Sequence, residues 1–170
     1  MPIDVRVEPL AGRLPSITWR WDPETDILTG TFRNKQPGSG LTGTFELTDD
    51  EGSVAVVDVE GGVVSGLDIV VWPEVTTVPD LAAPAGAREG RVIVPSRPSQ
   101  PGVASVEVDT TLSVSTNPFE SVFHLRIGSR RAVELIQAAD NFLIEVDQRR
   151  RLAGFWLTNV APFPGGAALE

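Results

Sequence analysis

The sequence predicts a mainly β protein, α+β in the sense of one helix beside the strands, made of two similar antiparallel β-units related by an approximate two-fold axis. Three observations carry this. First, one hairpin pattern occurs twice, about 88 residues apart: Val54-Ala55-Val56-Val57-Asp58 then Val64-Ser65-Gly66-Leu67-Asp68-Ile69, and Phe142-Leu143-Ile144-Glu145-Val146 then Leu152-Ala153-Gly154-Phe155-Trp156-Leu157. Both copies alternate apolar and polar positions, turn, and set a glycine just ahead of the apolar end of the return strand, the period-two signal of a half-buried strand. Second, short alternating segments punctuated by Gly, Pro and Asp occupy most of the remaining chain. Third, a single stretch, 129–140, shows helical spacing.

The elements follow in order. Ile3-Asp4-Val5-Arg6-Val7 alternates and reads as a first strand. Ser16-Ile17-Thr18-Trp19-Arg20-Trp21 alternates again and runs into Asp22-Pro23-Glu24-Thr25-Asp26. There Pro presets φ and Asp can bond its own backbone, so a turn is expected, and residues 27–33 return as a strand. A loop at 34–40 leads to strands at 41–48, 53–60 and 62–72, separated by turns at Asp49-Asp50-Glu51-Gly52 and Glu60-Gly61-Gly62. These residues, 1–72, make the first unit. Residues 73–103 hold six of the fourteen prolines and read as a linker crossing a surface in extended form, because Pro brings no N–H to a ladder. Arg91-Val92-Ile93-Val94 within it is an edge-strand candidate. A fully packed linker with no domain boundary is the alternative.

The second unit, 104–164, repeats the plan with one change. Residues 105–115 alternate, with Val106, Val108, Leu112 and Val114 on one face; Asn117-Pro118 marks a turn and 121–127 returns as a strand. A helix is expected over 129–140. Ser129 can cap it, and Ala132, Val133, Leu135, Ile136 and Ala139 share a face at spacings of three and four. The corresponding place in the first unit holds only the short, polar Leu47-Thr48-Asp49-Asp50-Glu51. Trp19-x-Trp21-Asp22 ahead of Leu28 corresponds to Val106-x-Val108-Asp109 ahead of Leu112. Residues 165–170 show no apolar period and end in Leu-Glu, as a vector junction does, so a disordered tail is expected there.

Composition narrows the function. The 170 residues include no Cys, which excludes disulfides, thiolate catalysis and Cys-ligated zinc or iron–sulfur sites. Lys35 is the only lysine against 13 arginines, a bias of GC-rich coding genomes. No apolar run approaches the ~20 residues of a membrane helix, and Met1-Pro2-Ile3-Asp4 lacks the features of a signal peptide. A cytoplasmic location without membrane association is therefore the default expectation. The net charge of −9 argues against nucleic acid as a partner. Residues 1–85 hold 14 Asp/Glu against 5 Lys/Arg, and residues 86–170 hold 9 of each, so the acidity lies in the first half. That half reads either as a solvated surface that keeps the chain soluble or as the face that meets a basic partner.

Trp21-Asp22-Pro23-Glu24-Thr25-Asp26-Ile27-Leu28, followed by Val63-Val64-Ser65-Gly66-Leu67-Asp68-Ile69, resembles the uncharacterised prokaryotic family called domain of unknown function 2283. Its members show Tyr-Asp-Pro-Glu-x-Asp-x-Leu and, later, Gly-x-Val-x-Gly-Ile-Glu-Ile. Trp21 stands here where Tyr is usual, and the two motifs lie further apart. The resemblance spans residues 16–72 and more weakly 104–160, as two copies. It implies a compact β-rich domain, sometimes considered a partner of small toxins, with no established catalytic residues.

No catalytic set, cofactor or metal site emerges from the residues themselves. Asp22, Glu24 and Asp26 put three carboxylates within one turn, but the glycine bend and distal Glu of a calcium loop are missing. They read as a solvated turn or, with Asp49-Asp50-Glu51, as an acidic surface for a cation or a basic protein. Trp19 and Trp21 share a face that either lines a binding groove or fills the core between the halves. Trp72 and Trp156 also lie in or beside strands. Arg149, Arg150 and Arg151 form the turn of the second repeated hairpin and Arg130 and Arg131 begin the expected helix; both groups suit anion contacts or ion pairs with the acidic half. His124, the only histidine, lies in a strand on the face opposite Phe123 and Leu125.

The expected function is accordingly a non-enzymatic binding or assembly protein, in its most specific form an antitoxin- or immunity-like partner of a basic protein. The alternative is a small-ligand carrier or hydrolase-like enzyme with an acidic pocket between the halves. Homo-oligomerisation through strand edges is a third expectation.

Overall fold

Alternation of apolar and polar residues does build strands in both units and in the stretch between them. A computed structural model describes residues 2–34, 38–95 and 103–164, the side chains of residues 103 and 104 excepted. The expected tail at 165–170 lies outside the described residues, as does part of the linker. The first unit supplies β1 (Arg6–Glu8), β2 (Arg20–Trp21), β3 (Leu28–Thr31), β4 (Thr42–Thr48), β5 (Val54–Glu60) and β6 (Val63–Val71). The proline-rich stretch supplies β7 (Val75–Thr77), β8 (Arg88–Glu89) and β9 (Arg91–Ile93). The remainder forms β10 (Val103–Asp109), β11 (Leu112–Thr116), β12 (Phe123–Ile127), β13 (Val133–Ala139), β14 (Phe142–Asp147) and β15 (Leu152–Leu157).

The strands form two sheets. One runs β1-β9-β6-β5-β4-β10, with β3 also on β6 and β2 on β3; the other runs β7-β11-β12-β15-β14-β13-β8. The duplicated pattern is visible down to register. In the β5–β6 hairpin Asp58 faces Gly66 and the pairing then slips, leaving Ser65 unpaired. In the β14–β15 hairpin Glu145 faces Gly154, and the same slip leaves Ala153 unpaired. Each is a one-residue bulge. Each glycine is required by close approach. A Cβ on Gly66 would stand 2.5 Å from the carbonyl oxygen of Gly30, and one on Gly154 2.6 Å from that of Leu125 and against the carboxylate of Glu145. The matching continues outward, so that β2-β3-β6-β5-β4 of one copy corresponds to β11-β12-β15-β14-β13 of the other.

That correspondence corrects the expected helix. Residues 133–139 are strand β13, antiparallel to β14 and parallel to β8, where Ile136 pairs with Arg88 and Gln137 with Glu89. The apparent helical spacing has a local cause: the ladder slips between Gln137 and Ala139, so the successive residues Ala138 and Ala139 are both buried. A tight turn at Asp140-Asn141 then lays 133–139 along the edge of β14, a strand buried on both faces that needs a partner there. Ser129 caps nothing; its carbonyl accepts from Arg131 Nη1 at 2.6 Å.

Two further expectations change. Residues 105–115 split into β10, which joins the first sheet in parallel with β4, and β11, which stays in the second. The counterpart of the β2–β3 hairpin is therefore β11–β12, not the pair of segments around Val108 and Leu112. Likewise β9 is no edge strand, since it pairs with both β1 and β6. Both sheets face one core, in which Leu28, Leu67 and Ile69 of the first copy meet Leu125, Phe142, Ile144 and Phe155 of the second. Trp19 closes the seam, its ring edge-on to Phe142 at 5.4 Å and its indole N–H donating to the Asn141 carbonyl at 3.0 Å. No helix among the described residues is long and apolar enough to cross a membrane.

Candidate functional site

The β2–β3 and β11–β12 turns are equivalents in the two copies, and both begin with an Asx-Pro pair. Asp22 Oδ1 accepts from the Glu24 amide at 3.0 Å, and Asp26 N–H donates to the Asp22 carbonyl at 2.9 Å. The Glu24 amide first, then the Thr25 hydroxyl, hold the Asp22 carboxyl below its ordinary range. In the other turn Asn117 Oδ1 accepts from the Ser121 amide at 2.9 Å and the Val122 amide at 3.2 Å. Each turn thus ends on a carboxylate residue with left-handed backbone, Asp26 at φ 61° and Glu120 at φ 54°. Only two other non-glycine residues among those described, Arg150 and Asn159, share that conformation. It is uncommon for residues other than Gly, Asn and Asp, and it gathers at functional sites.

The two turns meet around an aromatic depression. Trp21, Trp72, Phe123, Phe163, Asp26 and Glu120, with Val75, line an open space of about 360 Å³. The indoles are tethered at their N–H edges, Trp72 to the Asp26 carbonyl at 2.7 Å and Trp21 to the Ala161 carbonyl at 2.9 Å. Their rings lie nearly parallel with centroids 5.5 Å apart, and Phe123 sits against Trp72 at 5.4 Å. Phe163 stands perpendicular to Trp21 at 5.4 Å. Among the described residues the exposed large apolar side chains are Val71, Val75 and Phe119. Of these, Val75 lines the depression. Aromatic faces carry negative partial charge, and two carboxylates at their rim strengthen the attraction for a cation.

Of the residues singled out in the sequence, Trp21 and Asp26 belong to this site. Asp22 shapes its turn, and Glu24 is exposed on the same turn. Trp19 is buried in the core seam. Arg149, Arg150 and Arg151 form a separate turn organised by Asp147, whose Oδ1 accepts from the Arg149 amide at 2.9 Å and the Arg151 amide at 3.0 Å. Burial by itself would raise the Asp147 carboxyl, but the Arg131 guanidinium at 2.8 Å and these two amides together hold it low. Arg150 lies 3.6 Å from Glu134 and Arg151 3.8 Å from Asp4. Trp72, Phe123, Glu120 and Phe163 were not foreseen. The paired Asx-Pro turns were the available signal, since equivalent turns of a duplicated unit can converge.

Scanning protein-family models and searching curated proteins both return no match for this chain.

Proposed function

We propose that the protein is a non-enzymatic binding protein whose aromatic depression holds a cationic side chain of a basic protein partner, the mode of action of an antitoxin- or immunity-like protein. The observation that carries this reading is the convergence of Asp26 and Glu120, in left-handed backbone, on a bed of two tethered indoles. The charge balance of the first half supports it. So does the outer face of the first sheet, where Glu46 and Glu107 are cross-strand neighbours and Asp58 and Asp68 stand nearby on β5 and β6. The resemblance of residues 16–72 to a family considered to partner small toxins is in keeping with it.

Titrating the full chain with tetramethylammonium and with an arginine-rich peptide, read by tryptophan emission, tests the proposal. Saturable changes are expected with both probes, lost in Trp72→Ala and weakened about threefold to tenfold in Glu120→Gln, with the peptide binding less tightly at high salt. An emission indifferent to both probes, or unaltered binding in Trp72→Ala, sinks the reading. The alternative of a carrier or hydrolase would use the same depression, which both units and two carboxylates line; it has less support, because the space is open and its walls are mostly aromatic rings.

A further inference from the structure

The second copy carries a different depression, on the outer face of its sheet. His124 on β12 lies between Ser115 on β11 and Trp156 on β15. Its ring stacks on Trp156 with centroids 4.1 Å apart and planes within 7°. Glu145 Oε1 lies 3.0 Å from His124 Nε2, and Oε2 accepts the Trp156 indole N–H at 3.2 Å. The carboxylate reaches both because Gly154, which faces it across the ladder, leaves room. Each oxygen of Glu145 therefore has a donor, and the side chain serves as a finished wall.

Arg126 lies on the other side of Gly154, and its Nε is buried with no acceptor among the described residues. That N–H is costly to leave unpaired, but it is covered by protein and closed to a ligand as it is to water, so Arg126 meets the space through the rest of its side chain. Arg130 adds a second guanidinium to the lining, whereas Arg131 is already engaged by Asp147 and the carbonyls of Ile127 and Ser129. The proline-rich stretch comes over the sheet beyond β7, the Val78 amide donating to the Thr116 carbonyl at 2.8 Å, and sets Val78 and Leu81 as an apolar wall opposite Trp156. The space, partly open to solvent, is about 520 Å³, within the roughly 300–1,000 Å³ of small-molecule sites. In the first copy the places of Arg126, His124 and Trp156 are taken by Thr31, Thr29 and Asp68, so nothing comparable forms there.

We propose that this depression binds a small organic anion, a carboxylate with a short aromatic or aliphatic body. The planar carboxylate answers the guanidinium fork of Arg126, with Arg130 beside it. The body of the ligand lies between the Trp156–His124 stack and the wall of Val78 and Leu81. Phosphate matches the charge but leaves that wall unused.

His124 is the only histidine, so its ring resonances report on this site alone in a carbon–proton NMR spectrum of the full chain. Benzoate and hexanoate should shift them saturably, with affinity weakened about tenfold or more in Arg126→Gln and about threefold in the exposed Arg130→Gln, and unchanged in Arg149→Gln. Inorganic phosphate should shift them far less. Equal responses to phosphate and benzoate would reduce the site to adventitious anion contact and overturn the proposal. Absence of any saturable shift up to about 10 mM carboxylate, or full affinity in both Arg126→Gln and Arg130→Gln, would overturn it too. These readouts do not involve Trp21 or Trp72, so they stand apart from the test of the cation site.

Discussion

Asp58 and Glu145 hold equivalent positions in the two copies, each opposite a glycine that admits its carboxylate, yet their surroundings differ. Glu145 has two side-chain donors, His124 and Trp156. Asp58 has Asp68 for a neighbour, whose own carboxylate takes the Thr29 hydroxyl. Burial first, and the Asp68 charge second, push the Asp58 carboxyl up from 3.8 to about 6. The folded protein thus binds this proton more tightly than the unfolded chain does. The contribution to stability is complete below about pH 4 and is lost as pH rises through about 6, so at pH 7 the ionised Asp58 opposes folding. Because the side chain is only half-buried, screening by water reduces the effect to about 1 kcal/mol. Asp58→Asn should therefore stabilise the protein by about that much at pH 7 and by close to nothing at pH 4. Urea unfolding at the two pH values measures the difference. A gain of equal size at both would show that proton binding by Asp58 is not its source.

At the scale of elements, β13 separates what neighbouring residues encode from what only the sheet decides. Where an apolar-rich segment returns on itself across a short polar or glycine turn, as in the β4–β5, β5–β6 and β14–β15 hairpins, the local pattern by itself was sufficient. In residues 129–140 the bulge at Ala138 brings two adjacent residues inward, and apolar positions then fall at helical intervals. Nothing in that segment records that β14 has an open edge to fill. The same holds for β7 and β8, which are two or three residues long and exist because partners from distant parts of the chain lie beside them, whereas β9 was legible as a strand but not its position between β1 and β6. The candidate site divides similarly. Trp21 and Asp26 were legible through turn chemistry, whereas Trp72, Phe123 and Glu120 join them only when two remote turns converge. Propensity offers a check on β13 at Gln137, whose side chain is half-buried. In a strand, Gln137→Thr should match or exceed the parent in stability and Gln137→Ala should fall about 0.5 kcal/mol below it. A helix would give the reverse order, and denaturation midpoints of the three proteins decide between them.

For the whole molecule, the consequence of duplication is mutual dependence. β10, which directly precedes the second copy, completes the edge of the first sheet along the full length of β4, from Thr42 to Thr48. β7 and β8, which follow the first copy, close the two edges of the second sheet on β11 and β13. The N-terminal segment joins in as well: the Val5 amide donates to the Arg150 carbonyl and the Leu152 amide to the Ile3 carbonyl, both at 2.9 Å. Across the seam the Ile17 amide donates to Asp140 Oδ1 at 2.9 Å beneath the Trp19–Phe142 contact. Separating the copies would leave unpaired strand edges and strip water-excluding cover from Trp19, Phe142 and Leu28, and apolar area of that size outweighs the stability of a small domain. Residues 1–72 alone, and 104–164 alone, should therefore show amide spectra of narrow dispersion and no cooperative unfolding. Fragments 1–95 and 103–170, which between them retain every strand, should each be unstructured alone and regain the tryptophan near-ultraviolet circular dichroism of the intact chain when mixed in equal amounts, because the exchanged strands can pair across the break. A sharp, two-state transition in residues 1–72 by themselves would mean that the first copy is an autonomous domain and that the shared core contributes little to holding it together.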